Sequence, residues 1–182
     1  QVPATPPAAE AVAARAQPAQ GYGHILRSPY FRRMAPLGFF SYGGLIAVLT
    51  LWASPWMTEV AGYTPLQAAT GLFWINIAVL VAYWLWGLSG PRLARRGWHA
   101  DRLVARGLPL SFVVLLALVL LPVELRRWSG ALLAAFCVAS TFVTPLQPAV
   151  GMAFGPELAG RALSAFNLVV FLGVFVLQWS IG

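Results

Sequence analysis

Five stretches of the chain carry no Asp, Glu, Lys or Arg. They comprise 25 residues between Arg33 and Glu59, 32 between Glu59 and Arg92, 17 between Arg106 and Glu124, 29 between Arg127 and Glu157, and the last 21 after Arg161. Within them apolar residues run on continuously instead of alternating with polar ones. A strand of a membrane barrel is short and alternates, so strands do not fit. A helix crossing a bilayer needs about 20 mainly apolar residues and satisfies its backbone N–H and C=O groups internally, as lipid demands. The pattern predicts an all-α, polytopic membrane bundle of five transmembrane helices at about 34–56, 66–90, 108–123, 130–154 and 162–182. Residues 1–23, rich in Pro, Ala and Gln and without a hydrophobic period, predict a flexible linker ahead of the transmembrane part, 24–182. A chain that opens on Gln1 and stops at Gly182, directly after an apolar run, reads as a piece of a longer protein.

Composition sharpens this picture. The chain is 59% hydrophobic and 9% charged, against about 45–50% and about 25% in soluble domains. Too little charge is present to cover a soluble surface, which argues against a soluble enzyme or a nucleic-acid module. The single cysteine, Cys137, cannot form an internal disulfide, so a secreted disulfide scaffold is excluded. All 12 basic residues are Arg, and they sit at the ends of spans. Ten of them fall on the side holding 1–33, 91–107 and 155–161, and only Arg126 and Arg127 fall on the other. Positive charge accumulates on the cytoplasmic side of membrane proteins, so the N-terminus is expected in the cytoplasm. Trp52, Trp56, Trp74, Trp128 and Trp179 then fall near the outer interface, and Trp84, Trp86 and Trp98 near the inner one. Arg without Lys, with abundant Ala, points to a GC-rich bacterial source and hence to a bacterial inner membrane.

Candidate chemistry is sparse. His24 and His99 both lie in loops, and no His, Asp, Glu, Lys or Arg lies well inside an expected span. Haem ligands, a metal centre and a proton-relay carboxylate cannot be assembled from such spans, so no cofactor, no metal and no enzymatic activity are expected. Uncharged polar residues are more informative because they are uneven. The third span has only Ser111 and is expected to face lipid. The first has Ser41, Tyr42, Thr50 and the pair Gly43–Gly44, and the second has Gln67, Thr70 and Asn76. The fourth has Ser140, Thr141, Thr144 and, between Pro145 and Pro148, Gln147; the fifth has Ser164, Asn167 and Gln178. Amides without partners are costly in lipid, so these four helices are expected to turn polar groups to a shared interior. Helix rise places Gln147 and Asn167 at similar depth, roughly 7–11 Å from the cytoplasmic interface. They fit either an interhelical hydrogen bond or the wall of a substrate path, and Tyr42 and Asn76, nearer the midplane, are open to the same two readings. The two prolines predict a kinked fourth helix, and Gly151-x-x-x-Gly155 would permit close helix approach.

The segment GLSGPRLARR, residues 87–96, is similar to the loop motif G-x-x-x-D-R-x-G-R-R of the major facilitator superfamily of secondary transporters. Gly87, Arg92, Arg95 and Arg96 match, whereas Pro91 replaces the acidic residue and Ala94 the second Gly. PELAGRALSAFN, 156–167, with the apolar run after it, resembles the family's eleventh helix; PYFRR, 29–33, with Tyr42–Gly44 and Trp52–Trp56, resembles its seventh. The resemblance covers about 24–182 and implies the C-terminal half of a twelve-helix transporter, helices seven to eleven. It implies transmembrane transport of a small solute by alternating access, with the bilayer and an N-terminal half of the same protein as partners. A membrane anchoring or interaction subunit that transports nothing is the alternative.

Overall fold

The computed structural model describes residues 21–181, so residues 1–20 of the expected linker and Gly182 of the fifth span lie outside the described residues. A short helix α1, Tyr22–Arg27, leads into five long apolar ones. These are α2, Pro29–Val60; α3, Pro65–Arg95; α4, Ala100–Val119; α5, Leu125–Met152; and α6, Pro156–Ile181. No strand occurs among the described residues. The chain is thus a helical membrane bundle with five helices long and apolar enough to span.

Boundaries differ from the sequence reading in informative places. Tyr22 and Gly23 belong to α1, whose Ile25 is fully buried. Helix α3 runs to Arg95, and α4 begins at Ala100 instead of 108. The segment expected as a loop, 91–107, is therefore mostly helix, joined by a tight turn. Apolarity marks the stretch that lipid accepts, whereas a helix also winds through charged residues that reach water, here Arg92, Arg95, Asp101, Arg102 and Arg106, all exposed. The turn is a Schellman closure. The Trp98 N–H donates to Leu93 O at 2.9 Å and the Gly97 N–H to Ala94 O at 3.0 Å, with Gly97 at φ +75°. That left-handed position strongly favours Gly. The N-terminus of α3 is set by a capping box: Thr64 Oγ1 accepts from the Gln67 N–H, and Gln67 Oε1 accepts from the Thr64 N–H. Gln67, expected to turn inward, is consumed there.

Two helices depart from regular winding. Helix α2 widens to π turns at Gly38–Tyr42, Val48–Trp52 and Trp56–Val60, with Pro36 and Pro55 each removing a donor along the way. Helix α5 tightens to a 3-10 turn over Thr141–Val143 and resumes α winding at Leu146. The break falls next to Pro145 and Pro148, the pair that predicts a kink.

Packing forms two apolar clusters. One joins Ile25, Phe31, Met34, Leu146, Val150, Ala162 and Phe166, from α1, the start of α2, the end of α5 and α6. The other joins Leu45, Met57, Ile75, Val79, Leu118, Leu133 and Cys137, from the rest of α2 with α3, α4 and the start of α5. Helices α2, α4 and α5 belong to both, α4 through Val104 in the first and Leu118 in the second. Helix α4 packs chiefly on α5, burying Leu103, Gly107, Ser111 and Leu118 and leaving Phe112, Val113, Leu116 and Val119 exposed on its other side.

Helices α2 and α6 meet backbone to backbone. A Cβ on Gly43 would lie 2.7 Å from the Gly173 carbonyl carbon, and one on Gly38 would lie 2.6 Å from Phe166 Cζ. A Cβ on Gly173 would collide with the Phe39 backbone. Of the pair Gly43–Gly44 only the first makes such a contact; of Gly151 and Gly155 only Gly151 is close to a neighbour, Leu163. Gly173→Leu and Gly43→Val should therefore each destabilise the full-length protein by at least about 1–3 kcal/mol, the usual range for overpacking. Gly44→Ala and Gly155→Ala, with open space around them, should be near neutral. Thermal unfolding in detergent with fluorescence-detected size exclusion checks this; equal melting for Gly173→Leu and Gly155→Ala would contradict the packing.

Candidate functional site

The π turn at the start of α2, the broken part of α5 and the first half of α6 enclose a partly open cavity of about 450 Å³, with α3 closing one side. Its apolar wall is Gly38, Val143, Leu146, Phe166, Val170 and Phe171. Its polar groups are Tyr42, Tyr83, Thr144, Gln147 and Asn167, one or two from each helix. Gln147 Nε2 donates to Asn167 Oδ1 at 2.8 Å, joining α5 to α6. Gln147 is exposed and Asn167 half-buried, so the pair lies on the open side of the cavity. Each amide keeps hydrogen-bonding capacity after this one bond: a second N–H and a carbonyl on Gln147, and two N–H on Asn167. The hydroxyls of Tyr42, Tyr83 and Thr144 have no hydrogen-bond partner among the described residues. A concave, largely apolar surface with a few convergent polar groups is the usual form of a small-molecule site. Nothing in this group is acidic, basic or strongly nucleophilic, so it can bind and orient a neutral polar solute by hydrogen bonds and aromatic contact.

The structure thus brings together Tyr42, Gln147 and Asn167. Asn76 is not among them: its Nδ2 donates back to Leu72 O at 2.8 Å on its own helix, and its side chain is exposed. It lies seven residues before Tyr83 on one stripe of α3, two turns along from the cavity. Tyr83 is the residue that sequence reasoning missed. A signal existed, since two polar groups seven apart share a helix face, but an aromatic among Trp84 and Trp86 reads as part of an interfacial belt. Trp86 itself turns inward, its indole N–H donating to Thr141 Oγ1 at 2.9 Å and its ring packing edge-on against Phe142 at 4.9 Å. Thr144 stands one helical turn from Gln147 and so shares its side of α5.

The loop-motif residues occupy a different place. Gly87, Arg92 and Arg95 are in the last turns of α3 and Arg96 caps it, all exposed. They do not line the polar cavity. Other polar residues expected inside are held by their own helices: Thr70 bonds Leu66 O and Ser164 bonds Gly160 O. Gln178 instead crosses from α6 to α2, its Nε2 donating to Thr50 Oγ1 at 2.8 Å.

No family model, no curated protein and no solved structure matches the chain.

Gln147→Leu and Asn167→Leu each remove one side of an interhelical bond of the kind worth about 0.6 kcal/mol between membrane helices. Because the pair is on the open side, each single change should lower stability by at most about 1 kcal/mol, and the double change should cost less than the sum. A thermodynamic cycle on melting in the full-length protein measures this; strict additivity would mean that the two amides do not interact.

Proposed function

We propose that the chain forms part of a secondary transporter of the major facilitator type, which moves a small polar solute across a bacterial inner membrane by alternating access. The observation that carries the reading is the polar cavity: five uncharged hydrogen-bonding side chains from four membrane helices face a half-open space that a second half-bundle would close. Transport needs hydrogen bonds that form and release without covalent chemistry, and these groups offer that. The winding supports it too, since broken helices in the membrane are tolerated where they line a cavity, as α5 does between Thr141 and Pro148. On this reading an N-terminal half of the same protein supplies the opposite wall, and Tyr42, Tyr83, Thr144, Gln147 and Asn167 contact the solute. Asn76 lies further along the same path.

Two measurements on the full-length protein test the reading. In a Cys137→Ala background, Thr144→Cys should react with an impermeant thiol reagent applied to either face of sealed vesicles, because alternating access opens the cavity to each side in turn. Reaction from neither face would favour a static anchoring subunit. The Arg asymmetry supports an N-terminus in the cytoplasm; on that reading, in intact cells His99→Cys should be protected from the reagent and Trp128→Cys labelled. Labelling at position 99 would invert the topology.

A further inference from the structure

A second cavity, of about 680 Å³, opens at the Arg-rich end between the last turns of α3, the start of α4 and the end of α5. Its walls are small or apolar: Gly87, Gly90, Pro91 and Ala94 from α3, and Pro148 and Ala149 from α5 are examples. Space beyond the α3 glycines is empty, since a Cβ on Gly87 or Gly90 would meet nothing within 4 Å. Two aromatics, Trp86 and Trp98, also line the cavity. Tyr30 also lines it, and arginines gather beside the lining without forming part of it. Arg106 stacks on the Trp98 ring at 4.3 Å, and Arg102 Nη1 donates to Gly97 O at 3.0 Å, so both guanidinium groups are tethered to the turn that borders the cavity. Arg92, Arg95 and Arg96 are exposed on the neighbouring end of α3. Against these five cations stands one carboxylate in the wall, Asp101, with His99 beside it.

We propose that this cavity binds an anionic phospholipid of the surrounding leaflet, its phosphate held by Arg102 and Arg106 and one acyl chain lying along Gly87, Gly90 and Ala94. The chemistry fits on three counts. An apolar cavity reached from the headgroup level of a bilayer is filled by acyl chain more favourably than by water. Guanidinium groups bind phosphate through paired N–H donors, and basic pockets between spans are the usual sites for anionic headgroups. An indole with one polar edge sits at the membrane interface, and Trp98 lies between the apolar wall and Arg106. The five-to-one charge balance selects a net-negative headgroup over a zwitterionic one. The proposal rests on the membrane-spanning helices alone and holds whether or not the protein transports anything.

Lipid retention by the full-length protein tests it, read by native mass spectrometry after exchange into detergent with phosphatidylglycerol, phosphatidylethanolamine or phosphatidylcholine. The wild type should retain phosphatidylglycerol about tenfold or more over phosphatidylcholine, as about 1 kcal/mol per engaged arginine implies. Arg102→Gln with Arg106→Gln should abolish that preference. Gly90→Leu, whose Cβ would enter open space, should reduce retention of every lipid while leaving the melting temperature without lipid unchanged. Equal retention of the three lipids by the wild type would overturn the proposal. So would preferred retention of phosphatidylethanolamine dependent on Asp101, or undiminished phosphatidylglycerol binding in Gly90→Leu.

Discussion

In lipid an apolar side chain gains little by leaving its surroundings for another apolar side chain, so helices associate where their surfaces fit closely. Here that fit is the backbone contact of α2 with α6, made at Gly43 and Gly173 and continued where Gly38 meets Phe166. Much else follows from it. The contact runs along the π turn Gly38–Tyr42 and places Tyr42 beside the α6 face that bears Asn167. It also lets Gln178 reach Thr50 further along the same two helices. A second close fit holds the other side of the bundle, where Phe142 of α5 is wedged between Gly107 of α4 and the Trp86 ring of α3. The two contacts use the same device, a missing Cβ opposite a bulky or backbone group.

Polar side chains divide into two kinds by what they bond. Thr70, Asn76, Ser89, Ser111, Ser140 and Ser164 return their donors to a carbonyl three or four residues back on the same helix. That satisfies the group without help from a neighbour, so such residues can sit in a membrane helix and say nothing about where it packs. Trp86 with Thr141, Gln178 with Thr50, and Gln147 with Asn167 cross between helices and do carry tertiary information. Among the described residues Tyr42, Tyr83 and Thr144 do neither, and all three face one cavity. Three hydroxyls without a hydrogen-bond partner among the described residues are thus gathered around one cavity.

The five spans were legible because the bilayer imposes a length of uncharged chain, and the gaps between charges met it. The start of α4 was not, because Asp101, Arg102 and Arg106 break the apolar run without breaking the helix. The break in α5 could be read from Pro145 and Pro148, whose missing donors act locally. The π turns of α2 could not, since no local residue pattern in it marks them; the first of them, Gly38–Tyr42, packs on α6. Gln147 and Asn167 were found together because depth along a helix can be counted from sequence. Asn76 passed the same polarity test, yet it bonds its own helix, and no single-sequence pattern separates it from Gln147. The choice between them depends on which neighbour each helix face meets, and that is a property of the packed bundle.

One short segment ties the two cavities together. Between Thr141 and Pro148, α5 presents Thr144 and Gln147 to the polar cavity and Pro145 and Pro148 to the cavity at the Arg-rich end. Its winding there is 3-10 before α, and two of its residues lack the N–H that would lock a regular helix. A stiff helix could line two cavities and keep them independent. This segment lacks the full ladder of hydrogen bonds that a regular helix has, and Pro145 stands where both walls meet. It is anchored at its start by Trp86 on Thr141 and at its end by Val150 in the apolar core.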